Sequence, residues 1–194
     1  MENKKILVTG GSGFLGSRLI TRLCERNNRV ILIDKKEPES FSKNVAFYKI
    51  DLSTAPSLKF LKDVEYAFHL AAAKDAAGEK ICYATNVKGT ENLLFWLAKQ
   101  SPNLKKVVYV GTLLSEGFRN KGAASLYGKT KLLAESVIKN NSFKIPYLIL
   151  RTARIYGPGD RRGIYLILKF MPVSYTHLRA HETSLHLVCR LLLE

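Results

Sequence analysis

Tyr127 and Lys131 stand four residues apart in Tyr127-Gly128-Lys129-Thr130-Lys131, within a run of helical spacing from Ser125 to Lys139. On a helix that spacing sets the two side chains one turn apart on one face. A free phenol has a pKa of about 10 and is a poor base at neutral pH. A neighbouring ammonium stabilises the phenolate and lowers that value. Such a pair exchanges a proton with a substrate hydroxyl while hydride moves to or from a nicotinamide. The same spacing also fits a helix with an exposed tyrosine and an ordinary lysine, so the pair needs support from elsewhere in the chain.

That support begins at Thr9-Gly10-Gly11-Ser12-Gly13-Phe14-Leu15-Gly16, a glycine-rich turn between an apolar run and a helical one. Glycine allows the tight turn, lets the backbone approach a pyrophosphate, and lets the helix pack closely on the strand. The phosphate charge then meets free N–H groups at the positive end of a helix. Asp34, 18 residues after Gly16, ends the next apolar run, where a carboxylate accepts hydrogen bonds from an adenosine ribose. Asp also caps turns. Lys35 and Lys36 could hold a 2′-phosphate, but the carboxylate would repel one. The reading is therefore NAD, with NADP as the alternative.

The elements that must position these groups alternate strand and helix. Strands are expected at Lys5–Val8, Val30–Ile33, Val45–Ile50, Tyr66–Leu70, Val107–Val110 and Tyr147–Leu150, and helices at Phe14–Arg26, Lys80–Lys99 and Ser125–Lys139. Pro56 suits the first turn of a further helix capped by Ser53 or Thr54. Continuous apolar strands separated by helices indicate a parallel sheet covered on both faces, joined by right-handed crossovers. The fold class is α/β, a Rossmann-type doubly wound parallel sheet truncated before most of a substrate lobe.

Composition narrows the function classes. The 194 residues suffice for one domain with a sizeable core. Apolar runs are too short for a membrane span, and the N-terminus lacks a signal-peptide pattern. Cys24, Cys82 and Cys189 have no metal or disulfide spacing, which fits a reducing cytoplasm. The net charge of +15 raises nucleic acid as a partner. Its lysines are spread along the chain without interleaved aromatics, so a basic, soluble surface is the preferred reading and no specific nucleic acid is expected.

Beyond these residues the chain resembles the extended short-chain dehydrogenase/reductase family, which holds nucleotide-sugar epimerases, dehydratases and 3β-hydroxysteroid-dehydrogenase-like enzymes. The resemblance runs from Lys4 to about Asp160. It is carried by the glycine turn, Asp51-Leu52, His69-Leu70-Ala71-Ala72-Ala73, Asn86-Val87-Lys88-Gly89-Thr90, the Tyr127–Lys131 motif, and the stretch from Arg151 through Ile155-Tyr156-Gly157-Pro158-Gly159-Asp160. It implies that Gly10, Gly13, Phe14, Leu15, Gly16, Asp34, Asp51, Leu52, Leu70, Ala71, Ala72, Asn86, Tyr127 and Lys131 line the dinucleotide site, with Lys131 also on the nicotinamide ribose. It implies a catalytic hydroxyl just beyond the fifth strand. Thr112 holds that place, with Ser115 as a second choice. Gly111 departs from the family's usual Ser-Ser there, and the loop from Thr112 to Tyr127 is short for a sugar epimerase.

The activity so implied is NAD(P)-dependent oxidoreduction, epimerisation or dehydration of a hydroxylated small molecule, a nucleotide sugar or a sterol-like alcohol, with no metal. A homodimer of the full-length protein is compatible with it. A non-catalytic NAD(P)-sensing module is the rival, and retention of Tyr127 and Lys131 argues against it. Residues 1–171 form the expected Rossmann domain. Residues 172–194 resemble a translated adapter sequence, His177 and His181 at i, i+4 notwithstanding, and are set aside as a non-native tail. Lacking a substrate lobe, the chain as written is expected to bind cofactor without turning over substrate.

Overall fold

The computed structural model describes residues 1–38, 40, 42–54, 57–113 and 125–158. Residues 1–153 form one compact unit, and those from Arg154 onward belong to a second. Within the first, six strands, β1 (Lys5–Thr9), β2 (Arg29–Asp34), β3 (Val45–Lys49), β4 (Tyr66–His69), β5 (Lys106–Thr112) and β6 (Tyr147–Thr152), make one sheet in the order β3-β2-β1-β4-β5-β6. Every pairing is parallel. The order reverses at β1, so the crevice beyond the carboxyl ends of β1 and β4 is the ligand position such sheets provide.

Strand alternation builds both faces of the core. From β1, Ile6 and Val8 join Val30 and Leu23, while Leu7 joins Ile31, Ile33, Ala67, Val107, Leu93, Leu97 and Ile138 on the other side. Helix α1 (Phe14–Glu25) covers the first face. The second lies under α3 (Gly89–Gln100) and α4 (Leu126–Lys139). On β6, Ile149 packs into this second cluster, whereas Leu148 and Leu150 remain exposed. Among the described residues no helix is long and apolar enough to cross a membrane.

Two elements differ from the sequence expectation. The helix expected over Lys80–Lys99 is a rod in three pieces: α2 (Glu79–Tyr83), a π-helical segment (Ala84–Lys88) and α3. The wide turn leaves Asn86 and Val87 buried, and such insertions concentrate at functional sites. Of the helix expected after Ser53 or Thr54, Pro56 lies outside the described residues, and the described residues that follow hold a single 3-10 turn, Lys59–Leu61. Asp51 captures the capping groups: its Oδ1 accepts from the Ser53 N–H (2.9 Å) and hydroxyl (2.7 Å), and its carbonyl accepts from the Thr54 hydroxyl (3.4 Å). Local side-chain bonds of this kind offer the backbone an alternative to a helix.

Candidate functional site

The glycine turn follows β1 at the carboxyl edge. Gly10 has φ +72°, and a Cβ there would lie 2.6 Å from the Ala71 nitrogen and 2.8 Å from the Leu70 carbonyl carbon. Only glycine lets this turn nest against the chain leaving β4. Gly16 is equally constrained, since its Cβ would meet the Gly10 oxygen and the Gly11 Cα at 2.5 Å. Gly13 is exposed and is the N-terminal flank of α1, without a capping side chain. The first N–H groups of a helix have no intrahelical acceptor. No acidic residue occupies the first turn of α1, and a helix end of this kind attracts anions. Phe14 and Leu15 open α1, and the Arg18 guanidinium lies 4.0 Å over the Phe14 ring.

Asp34 ends β2 and points at this turn. Its Oδ2 accepts from the Ser12 N–H at 2.9 Å and its Oδ1 from the Lys36 N–H at 3.2 Å. Lys35 is drawn elsewhere: its Nζ pairs with Asp51 Oδ2 at 2.8 Å and reaches Thr85 Oγ1 at 3.4 Å. Burial pushes the Asp51 carboxyl up, but the bonds from Lys35 and Ser53 outweigh it and leave the group below its ordinary value. One of the two cations weighed for a 2′-phosphate is thus already committed. Leu52 is buried in the core against Leu58 and Leu61, so its side chain packs inward rather than toward a ligand. Leu70, Ala71 and Ala72 leave β4 half-buried, with Leu70 and Ala71 beside Gly10.

Asn86 is only 1% exposed. Its Oδ1 accepts from the Ala73 N–H (2.7 Å), and its Nδ2 donates to the Ala73 carbonyl (3.0 Å) and to Thr130 Oγ1 (2.9 Å). The amide expected to touch cofactor is spent instead on holding the loop after β4 against α4.

Helix α4 is capped by Ser125, whose Oγ accepts from the Gly128 N–H at 3.1 Å. Tyr127 and Lys131 follow one turn apart, as their spacing requires. Lys131 is 1% exposed, and its Nζ lies 4.0 Å over the Tyr109 ring. Burial brings its pKa down to about 7, opposed by the Glu135 carboxylate. Tyr127 departs from expectation. Burial raises its pKa, and Asp75 raises it further; Asp75 Oδ1 accepts from the Tyr127 N–H. In this state Tyr127 is a neutral phenol, and the lysine does not hold it as a phenolate. Thr112 closes β5, is buried, and stands in register with Thr152. Ser115 and residues 172–194 lie outside the described residues.

Gly111 departs from the family's serine for a reason the structure supplies. A Cβ there would lie 2.6 Å from Glu135 Oε1 and 3.4 Å from Arg151 Cγ. Glu135 is fully buried and takes a two-pronged ion pair from Arg151: Nε to Oε1 at 3.1 Å, Nε to Oε2 at 3.0 Å and Nη2 to Oε2 at 2.6 Å. The glycine is the notch that admits this pair beneath β5. Gly111→Ala is expected to destabilise the protein by about 1–3 kcal/mol, the usual cost of overpacking a fixed site, as a lowered urea midpoint. An unchanged midpoint would show that Glu135 moves aside freely. Sequence reading gave Glu135 no role, although its place one turn beyond Lys131 on the buried face of α4 was an available signal.

The profile of the NAD dependent epimerase/dehydratase family matches residues 6–174. The chain belongs to that family. It is 28% identical over 196 residues to short-chain dehydrogenase/reductase family 42E member 1 of Danio rerio, a match covering 88% of this chain and 51% of that protein. It is 31% identical over 186 residues to an uncharacterized UDP-glucose epimerase, YtcB, of Bacillus subtilis, covering 81% and 58%. Among solved structures it is similar to UDP-glucuronic acid 4-epimerase from Bacillus cereus in complex with NAD, at 28% identity and a TM-score of 0.68, over 79% of this chain and 57% of that one. The chain spans about half the length of the curated relatives it matches. Family membership accounts for the parallel sheet and the Rossmann-like architecture. It leaves the roles of individual side chains to geometry.

Proposed function

We propose that this chain is the NAD-binding half of an enzyme that oxidises a hydroxyl of a nucleotide sugar, as the opening step of epimerisation, dehydration or simple oxidoreduction. The observation that carries the reading is convergence at one sheet edge. The uncapped start of α1, the Asp34 carboxylate and the Tyr127–Lys131 face of α4 all follow the carboxyl ends of parallel strands. NAD supplies the hydride acceptor when bound. The Gly10–Gly16 turn and the α1 N-terminus hold its pyrophosphate, Asp34 its adenosine ribose, and Lys131 its nicotinamide ribose. Tyr127 takes or returns the proton of the substrate hydroxyl, and Thr112 orients that oxygen.

Asp34 favours NAD over NADP, because it occupies the ribose position while Lys35 is paired with Asp51. A small-molecule substrate and a homodimer of the full-length protein belong to the same reading, as does a cytoplasmic location. A 3β-hydroxysteroid-type alcohol is the second substrate class, supported by 26% identity over 222 residues to 3beta-hydroxysteroid dehydrogenase/Delta(5)-Delta(4) isomerase 1 of Caenorhabditis elegans. To separate the two, the full-length parent is incubated with NAD and a panel of UDP-sugars and sterols while substrate conversion is followed by proton NMR beside NADH absorbance, since epimerisation and dehydration return the hydride and leave no net NADH. The expected result is conversion of at least one UDP-sugar and of no sterol. Conversion of sterols alone would overturn the substrate class.

A further inference from the structure

His69 lies at the end of β4, 1% exposed, and both ring nitrogens are engaged. Thr9 Oγ1 is 2.6 Å from Nδ1, and Thr90 Oγ1 is 2.9 Å from Nε2. The two threonines settle where the proton sits. Thr90 has one hydroxyl hydrogen and donates it to the Asn86 carbonyl at 2.6 Å. Toward Nε2 it can only accept, so Nε2 carries the hydrogen. Nδ1 is then bare and accepts from the Thr9 hydroxyl, whose own lone pair receives the Ala71 N–H at 3.3 Å. Every donor in this chain has one acceptor, and the direction is fixed from Ala71 to Asn86. Beyond Asn86 the bonds continue to Thr130 Oγ1, which reaches the carbonyls of Leu126 (3.0 Å) and Tyr127 (3.1 Å).

A buried polar route thus crosses from the end of β1, where the glycine turn begins, through β4 and the π-helical segment to the first turn of α4. We propose that His69, protonated on Nε2 alone, is a positioning residue that locks the glycine turn to the π-helical segment carrying Asn86 and, through Thr130, to the start of α4 where Tyr127 sits. At 1% exposure it acts through its hydrogen-bond partners and not by direct contact with a ligand. Its ring is a rigid spacer with one donor and one acceptor facing opposite ways, which Ala71 and Asn86 require at the two ends. Burial, helped by the charge of Lys131, holds its pKa down to about 3, so the ring is neutral at pH about 5 and above. Other residues facing the ring are Tyr109, with ring centroids 5.6 Å apart, and the two threonines.

The proposal rests on the NAD-binding reading for its functional consequence, and its test has one arm that does not. Nitrogen-15 spectra of the histidine-labelled 194-residue chain, with the His69 signals assigned by their loss in His69→Gln, report the tautomer directly. The expected spectrum shows hydrogen on Nε2 only, unchanged from pH about 8 to about 5, a span across which an ordinary imidazole of pKa about 6.5 titrates. A hydrogen on Nδ1, or titration within that span, overturns the proposal. The second arm measures NAD affinity of Thr9→Val, Thr90→Val and the double variant. If the two hydroxyls act through one ring, each single change weakens binding roughly 10-fold and the double change costs no more than either. His69→Gln, which keeps a donor and an acceptor, should lose less affinity than His69→Phe. Additive losses, giving roughly 100-fold in the double variant, would show two independent structural contacts and overturn the coupling. If the unaltered chain takes up no NAD, the binding reading fails, and the spectrum alone decides the role of His69.

Discussion

Replacing Tyr127 by Phe in the full-length parent is expected to lower kcat by roughly 10²–10⁴-fold, the range that a positioned acid–base group supplies, with NAD affinity nearly unchanged. The phenyl ring keeps the packing on α4, and the bond from the residue 127 backbone N–H to the Asp75 carboxylate is untouched by the substitution. Only the proton carrier is lost. Lys131→Met is expected to reduce both turnover and NAD affinity, because in the proposed mechanism the lysine holds the nicotinamide ribose beside which Tyr127 works. Its pKa of about 7 in the free protein also gives a pH signature. The lysine is charged below that value and neutral above it, so kcat/KM, which reports the free enzyme, should carry an ionisation near 7 that vanishes in Lys131→Met. Normal turnover in Tyr127→Phe would show that another residue moves the proton.

The glycine turn gives the second large effect, and it ranks the glycines. Gly16→Ala brings a methyl group against backbone atoms at 2.5 Å, which no side-chain rotation relieves. Gly10→Ala has the same problem and adds a positive φ. Either change is expected to weaken NAD binding by roughly 100-fold or more, equivalent to about 3 kcal/mol, accompanied by a loss of thermal stability. Gly13→Ala differs, since its nearest neighbour is the Gly10 oxygen at 3.2 Å and the position is exposed. Its melting temperature should stay close to that of the unaltered protein while NAD affinity falls, because the added methyl would stand at the exposed N-terminal flank of α1, where the proposed site holds the pyrophosphate. Calorimetric titration beside a thermal melt separates these outcomes. Full NAD affinity in Gly16→Ala would remove the turn from the binding site.

Residue pattern made the frame of this site legible. Apolar runs such as Val30–Ile33 carry their strand signal in composition, and the observed strands differ from expectation only by a residue or two at their ends. The glycine turn, Asp34 and the Tyr127–Lys131 pair are local in sequence, so spacing could find them. What spacing missed depends on groups far apart in the chain. His69 meets Thr9 across 60 residues, and Asn86 meets Thr130 across 44. The π-helical segment has no periodic signature, because its extra residue per turn is repaid by those distant bonds. Gly111 looked like a missing serine until Glu135 and Arg151 were seen beneath it. The tyrosine was expected to feel a lysine cation. Burial of both groups, with Asp75 at the start of the helix, reverses that direction in the free protein.

The central claim is that the Gly10–Gly16 turn and Asp34 together form a site for NAD. Calorimetric titration of the 194-residue chain with NAD and NADP, repeated on Asp34→Ala, tests it most directly. The account predicts one site per chain, at least roughly 10-fold tighter binding of NAD than of NADP, equivalent to about 1.4 kcal/mol, and loss of that preference in Asp34→Ala. Tighter binding of NADP, or a preference unchanged in Asp34→Ala, would contradict it.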